Sequence, residues 1–200
     1  MALSFYRKNM GMDKLHKAFN VPIYGSKLEL NTEEIEVFCK EYQQKHETRI
    51  KSNHGGYQSA SFDNTHAKHH NPPVIKSLVN EIERSMLDID PSPILVTDIW
   101  FNINGYKDHN IEHLHPGSIY SGVYYVKTPE NCGSLTFTHP AIDLLLNFPD
   151  EGKDGLFKVT AEENLLYIFP SWLKHYVSSN MNTNNEERIS LSFNTKLKSL

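Results

Sequence analysis

Eleven histidines against two cysteines tilt the metal-binding capacity of this 200-residue chain toward imidazole, which suits iron, copper or zinc. His113 and His115 are two residues apart. On a strand, that spacing projects both rings to one face with Cβ atoms about 6.6 Å apart, close enough to share one ion. Residues 165–172 (LLYIFPSW) read as a strand running into a turn, which delivers His175 at the start of the next strand as a third ligand. Three histidines on a β scaffold hold a metal at one face and leave positions open for substrate and oxygen. The same residues also read as a polar cross-strand face, with His175 a surface residue beside Lys174. A second chemical element is Arg188. It opens a stretch in which Arg188, Ser190, Ser192 and Asn194 alternate with Ile189, Leu191 and Phe193, so one face of the pleat is polar and the other apolar. The polar face either meets water or lines a pocket in which Arg188 awaits an anion.

These residues need a rigid frame. Asn31 and the following Thr-Glu-Glu predict a helix start, and Ile35, Phe38, Cys39 and Tyr42 recur at helical spacing toward Lys45. A second helix follows Asn71-Pro72-Pro73, with one apolar stripe of Ile75, Leu78, Val79, Ile82 and Met86 and a polar stop over residues 88–92. Residues 51–70 have no period and predict a long surface loop, in which His66, His69 and His70 could bind metal but read first as solvated. After Pro93 short β-branched and aromatic runs predict strands at 94–103, 110–115, 119–127, 133–138, 156–160, 164–169, 174–178 and 186–195. The expected fold is mainly β with flanking helices: a double-stranded β-helix (jelly roll, cupin-like) with about two N-terminal helices packed on one sheet. One domain spans residues 1–200, with a helical and loop part at 1–92 and the β-helix core at 93–200.

Composition excludes some functions. A net charge of -4 and a pI near 6.2, with basic and acidic residues interspersed, provide no footprint for nucleic acid or an anionic membrane. The N-terminus lacks the apolar run of a signal peptide and no stretch is long enough to span a bilayer, so the expected location is the cytoplasm. Cys39 and Cys132 fit no CxxC or zinc-knuckle spacing and read as buried or idle thiols.

Four stretches occur in order: HLHPGSIYSGVYYV at 113–126, GSLTFTHP at 133–140, then YIFPSWLKHYV and RISLSFN. Together they resemble the iron(II)/2-oxoglutarate oxygenase superfamily and, within it, a branch of small proteins related to the prolyl hydroxylases. The similarity runs from Trp100 to Asn194, about half the chain. The resemblance implies a metal at one mouth of the β-helix, with Fe(II), 2-oxoglutarate and molecular oxygen as cofactor and cosubstrates, and hydroxylation as the outcome. It makes His113 and His175 metal ligands and pairs Arg188 with the far carboxylate of 2-oxoglutarate. Ser190 and Tyr125 reach the same carboxylate, with Tyr124 or Ser121 replacing Tyr125 if the register shifts by one, and Asn102 faces the cavity. His139, where relatives tend to carry an acid, reads as a turn residue.

One departure bears on mechanism. The superfamily usually places Asp or Glu two residues after the first histidine; here that position is His115, and no His-x-Asp or His-x-Glu occurs in the chain. Three neutral imidazoles leave iron(II) with its full double charge. Otherwise His115 stands apart and water or Asp108 completes the site.

Three other readings compete. His109 to His113 (HNIEH) matches the H-x-x-E-H pattern of inverted zinc peptidases, a chemistry that needs a helix for which this segment has too little room. A three-histidine cupin dioxygenase would use no oxo-acid and leave Arg188 and Ser190 idle. A barrel that binds metal without turnover is the non-enzymatic alternative. The expected partner is a small-molecule or peptide substrate, selected by residues 51–70 and 141–155 around the mouth. The oligomeric state stays open, a homodimer included.

Overall fold

A computed structural model describes residues 20–65, 70–142 and 155–198. The elements run β1 (Tyr24–Lys27), α1 (Thr32–Lys45), β2 (Asn53–His54), β3 (Tyr57–Gln58), β4 (Phe62–Asp63), α2 (Pro73–Met86), β5 (Ile94–Asn104), β6 (His109–His113), β7 (Tyr120–Lys127), β8 (Leu135–Thr138), β9 (Leu156–Val159), β10 (Leu165–Pro170), β11 (His175–Val177) and β12 (Arg188–Leu197). Two antiparallel sheets result. The larger has the order β1-β10-β7-β12-β5-β3, with β4 also on β5; the smaller has the order β2-β6-β11-β8-β9. This is the double-stranded β-helix expected from the strand pattern. No helix among the described residues is long and apolar enough to cross a membrane.

The helices form where caps and stripes predict them. The Asn31 side chain accepts from the Glu34 N–H at the start of α1, and α2 begins with Pro73, whose missing N–H costs nothing in the first turn. Ile75, Leu78, Val79, Ile82 and Met86 of α2 are all buried, as are Ile35 and Cys39 of α1. Both helices cover one face of the large sheet, in a core with Phe101, Ile103, Tyr124, Ile189, Leu191 and Phe193. The opposite face of that sheet looks into the space between the sheets, where Val123, Tyr125, Leu135, Phe137, Phe169 and Leu173 form a second cluster. Strand β12 therefore sends Ile189, Leu191 and Phe193 to the helices and leaves Arg188, Ser190 and Ser192 facing inward. Gly122 of β7 lets Phe193 pass, since a Cβ there would lie 2.3 Å from the phenyl ring and 2.5 Å from the Tyr167 carbonyl oxygen.

Two expectations are corrected. Residues 51–70 are not one loop: β2, β3 and β4 lie within them, each two residues long and too short to show a period. The four-residue β1 also escaped notice, because its pairing to β10 is a backbone matter and its residues show no alternation in burial. His70 is exposed as expected, whereas His66 and His69 lie outside the described residues.

Candidate metal centre

Strands β6 and β11 bring two histidines side by side, with His175 directly opposite His113. The next registered pair is Val177 with Asn110, so β6 takes three steps where β11 takes two. That extra residue is a β-bulge, which turns His113 onto the same inner face as Asn110 instead of the opposite one; both line the internal cavity. His113 Nδ1 sits 2.7 Å from the Ile111 carbonyl oxygen, and His175 Nδ1 2.8 Å from that of Leu173. Because a carbonyl only accepts, both Nδ1 atoms carry the proton and each Nε2 keeps a free lone pair. His115 lies just past the end of β6, not on the strand as the spacing predicted. Its backbone N–H donates to the Ser171 carbonyl (2.9 Å), while Ser171 N–H donates to the Ile119 carbonyl (3.0 Å) and its hydroxyl to that of Ser118. The turn after β10 thus fixes His115. One ring nitrogen from each of His113, His115 and His175 lies within 4.8 Å of the others, a donor set able to hold one metal ion.

Burial keeps these rings neutral. The His115 imidazole is pushed down to about 4 and that of His175 to about 3, with His113 also lowered; desolvation is the main cause in each. Phe169 packs on His175 with ring centroids 4.7 Å apart, and Trp100 lies 5.7 Å from His115. Neutral imidazoles offer lone pairs, so no proton need leave before a metal binds at neutral pH. The linkage has a definite sign. Between the ordinary imidazole value near 6.5 and these lowered values the unfolded chain binds more protons than the folded one, so stability of the metal-free protein falls with falling pH. From pH 6.5 to pH 4, His175 alone is expected to remove roughly 3 kcal/mol. Denaturant midpoints of metal-free protein at pH 7 and pH 4 measure this, and equal midpoints would refute it.

The cavity's one buried cation stands on the large sheet. Arg188 is 1% exposed; its Nη1 donates to the carbonyl oxygens of Cys132 (2.6 Å) and Ser178 (3.4 Å), and its buried Nη2 has no partner. Cross-strand register aligns Asn102 with Ser190 and Ser190 with Tyr125, and Asn102 Oδ1 is also buried without a partner. Arg188, Ser190, Tyr125 and Asn102 line the same cavity as the three histidines. A buried cation with a free donor, beside two hydroxyls, fits a carboxylate at the end of a short chain reaching from the metal. The site thus fits both groups that the resemblance implies.

The loop anchoring Arg188 tolerates no larger residue at Gly133. Its φ is +84°, and a Cβ would lie 2.2 Å from the Ser178 carbonyl oxygen and 3.0 Å from Arg188 Nη1. Gly133→Ala is expected to destabilise the protein by about 2 kcal/mol or more through strain and displaced carbonyls. Thermal denaturation checks this, and an unchanged midpoint would contradict it.

Several sequence-based alternatives fall away. Tyr124 points into the helix-side core, donates to Asn164 Oδ1 (2.6 Å) and does not line the cavity, whereas Tyr125 does. Ser121 donates to Asn194 Oδ1 (2.7 Å) and does not line the cavity. Asp108 accepts from the Gly105 N–H (2.8 Å) in the β5–β6 turn and does not belong to the histidine cluster. The H-x-x-E-H segment is strand β6, which rules out the peptidase geometry. His139 follows β8 and accepts from the Ala141 N–H, a turn residue. Ser52, Asn110 and Trp100 also line the cavity. Trp100 and Asn102 are two apart on one strand, so alternation could have found Trp100; nothing local marked Ser52.

Residues 98–194 match the family model described as "Putative 2OG-Fe(II) oxygenase". No curated protein matches the sequence. Among solved structures, a prolyl-4-hydroxylase from Pseudomonas putida superposes with a TM-score of 0.64 at 13% identity, over 90% of this chain and 94% of that one. HygX from Streptomyces hygroscopicus, with nickel and 2-oxoglutarate bound, gives 0.61 at 11%, over 89% and 84%. The viral collagen prolyl hydroxylase of Paramecium Bursaria Chlorella virus-1, as its 2-oxoglutarate complex, gives 0.54 at 15%, over 88% and 97%. At these identities the superpositions speak for the fold. The match to the iron(II)/2-oxoglutarate oxygenases thus rests on residues 98–194, just under half of the chain, and the double-stranded β-helix and the three-histidine donor set agree with it.

Proposed function

We propose that the protein is a hydroxylase of a peptide, an amino acid or another small metabolite, with iron(II) held by His113, His115 and His175 and 2-oxoglutarate anchored by Arg188. The observation behind this reading is that three converging neutral imidazoles and one buried arginine with an unpartnered Nη2 line a single cavity. Iron(II) with 2-oxoglutarate and oxygen supplies the oxidising power, the oxo-acid leaving as succinate and carbon dioxide while one oxygen atom enters the substrate.

The chain's own residues do the rest. The Ile111 and Leu173 carbonyls hold the Nδ1 protons of His113 and His175, so that each Nε2 faces the metal. Arg188 binds the far carboxylate with its free Nη2, assisted by the hydroxyls of Ser190 and Tyr125. Asn102, aligned with Ser190, offers an amide to the same chain. Phe169 and Phe137, whose rings lie 4.7 Å and 6.1 Å from His175, keep water from the back of the centre.

The all-imidazole donor set also suits a cupin-type dioxygenase that uses no oxo-acid, but that reading leaves the unpartnered Arg188 donor without purpose. Succinate release separates the two. Iron-loaded protein in air is expected to convert 2-oxoglutarate to succinate, slowly without its substrate, and to stop when 2-oxoglutarate or iron is withheld. Oxygen uptake that proceeds at the same rate without 2-oxoglutarate would favour the cupin reading.

A further inference from the structure

No described residue lining the cavity is an Asp, Glu or Lys; its one ionised side chain is Arg188. Among the groups that act on Arg188 electrostatically, only Asp108 is a carboxylate, and it does so from outside the cavity. Burial pushes the Tyr125 phenol and the Cys132 thiol up, so both stay protonated. Asp108 lies outside the lining, its Oδ2 held by the Gly105 N–H, and makes no ion pair with Arg188. Glu112 is exposed and turned away, toward Thr138 and Lys174.

With iron(II) on three neutral imidazoles, a dianionic oxo-acid balances the metal, and the guanidinium of Arg188 remains as one positive charge that nothing inside the cavity pairs with, Asp108 attracting it only from outside the lining. A carboxylate at position 115 would cancel it. Burying a net charge is expensive, and the opposite charge must come from something that enters the cavity. Ser192 and Trp100, cross-strand partners on β12 and β5, line the cavity on the His115 side and bring no charge of their own.

We infer that the cavity takes a second anionic ligand besides 2-oxoglutarate, and that the prime substrate presents a carboxylate or phosphate to the space bounded by His115, Trp100 and Ser192. The inference rests on the metal and oxo-acid assignments above and adds the class of substrate to them.

The test uses cobalt(II)-loaded, 2-oxoglutarate-bound protein under argon, titrated with acetate, methyl phosphate and the neutral acetamide while the cobalt visible spectrum is followed. Wild-type protein is expected to bind acetate or methyl phosphate at least about tenfold tighter than acetamide, and the tighter of the two identifies the anionic group. His115→Asp is expected to weaken anion binding by about tenfold, the order expected of one unit charge within about 10 Å at an effective dielectric near 20. Ser192→Asp adds a carboxylate while keeping all three imidazoles; it predicts the same loss and serves if the first variant fails to fold. Equal anion affinity in wild type and in a loaded carboxylate variant would overturn the inference. Wild-type protein that takes up neither cobalt nor 2-oxoglutarate would overturn the underlying site assignment as well.

Discussion

His175→Ala is expected to lower metal affinity at least a hundredfold, leaving the dialysed protein nearly free of iron and unable to turn over 2-oxoglutarate. Structural zinc sites derive roughly 10–16 kcal/mol from four ligands, so one ligand is worth about 3 kcal/mol, or about two decades in affinity. His175 also fills space. It is 4% exposed, packs on Phe169, and satisfies the Leu173 carbonyl. Removing it leaves a cavity and an orphaned acceptor, so the metal-free variant should lose a further 2 kcal/mol or so of folding stability. Circular dichroism at room temperature shows whether the variant is folded, and metal content after dialysis decides the assignment. Stoichiometric iron in a folded His175→Ala protein would remove His175 from the metal.

Arg188→Met is expected to have the opposite profile: metal retained, oxo-acid binding lost. A pair of charge-assisted hydrogen bonds to a carboxylate is worth about 3 kcal/mol, so the 2-oxoglutarate dissociation constant should rise roughly a hundredfold. Folding stability should change little. The substitution removes a buried cation that makes no direct ion pair among the described residues, which favours the variant, and it loses the attraction of Asp108 and strips a donor from the Cys132 and Ser178 carbonyls, which disfavours it. Anaerobic calorimetry with metal present measures both affinities. Unchanged 2-oxoglutarate affinity would take Arg188 out of the pocket, and loss of the metal would mean that the two halves of the cavity are not independent.

Much of the frame was legible because local patterns and tertiary placement agree. The stripe from Ile75 to Met86 is the buried face of α2, and the Asn31 cap starts α1 where the residue types indicate. Strand β12 was legible as a two-faced pleat, but alternation cannot tell a polar face that meets water from one that lines a cavity. That depended on the second sheet, β2-β6-β11-β8-β9, closing over Arg188 and Ser190. Which of Tyr124, Tyr125 and Ser121 lines the cavity turned on a register that β12 and β10 set by pairing with β7, which no local signal in β7 specifies.

The histidines were legible as residue types and only partly as geometry. A two-residue spacing on one strand does not describe His113 and His115, because the bulge in β6 and the hydrogen bond from His115 to Ser171 place them. Both are properties of pairing between segments far apart in sequence. The same holds for Ser52, which reaches the cavity because its carbonyl accepts the Ile111 N–H and its hydroxyl the Asn110 amide, two contacts between segments nearly sixty residues apart.

The most direct test of the account is a crystal structure of the protein grown anaerobically with iron(II) and 2-oxoglutarate. The expected result is one ion bonded to Nε2 of His113, His115 and His175, chelated by the oxo-acid, whose far carboxylate lies on Arg188 Nη2. An ion held without His115, or an oxo-acid whose far carboxylate does not reach Arg188, would contradict it.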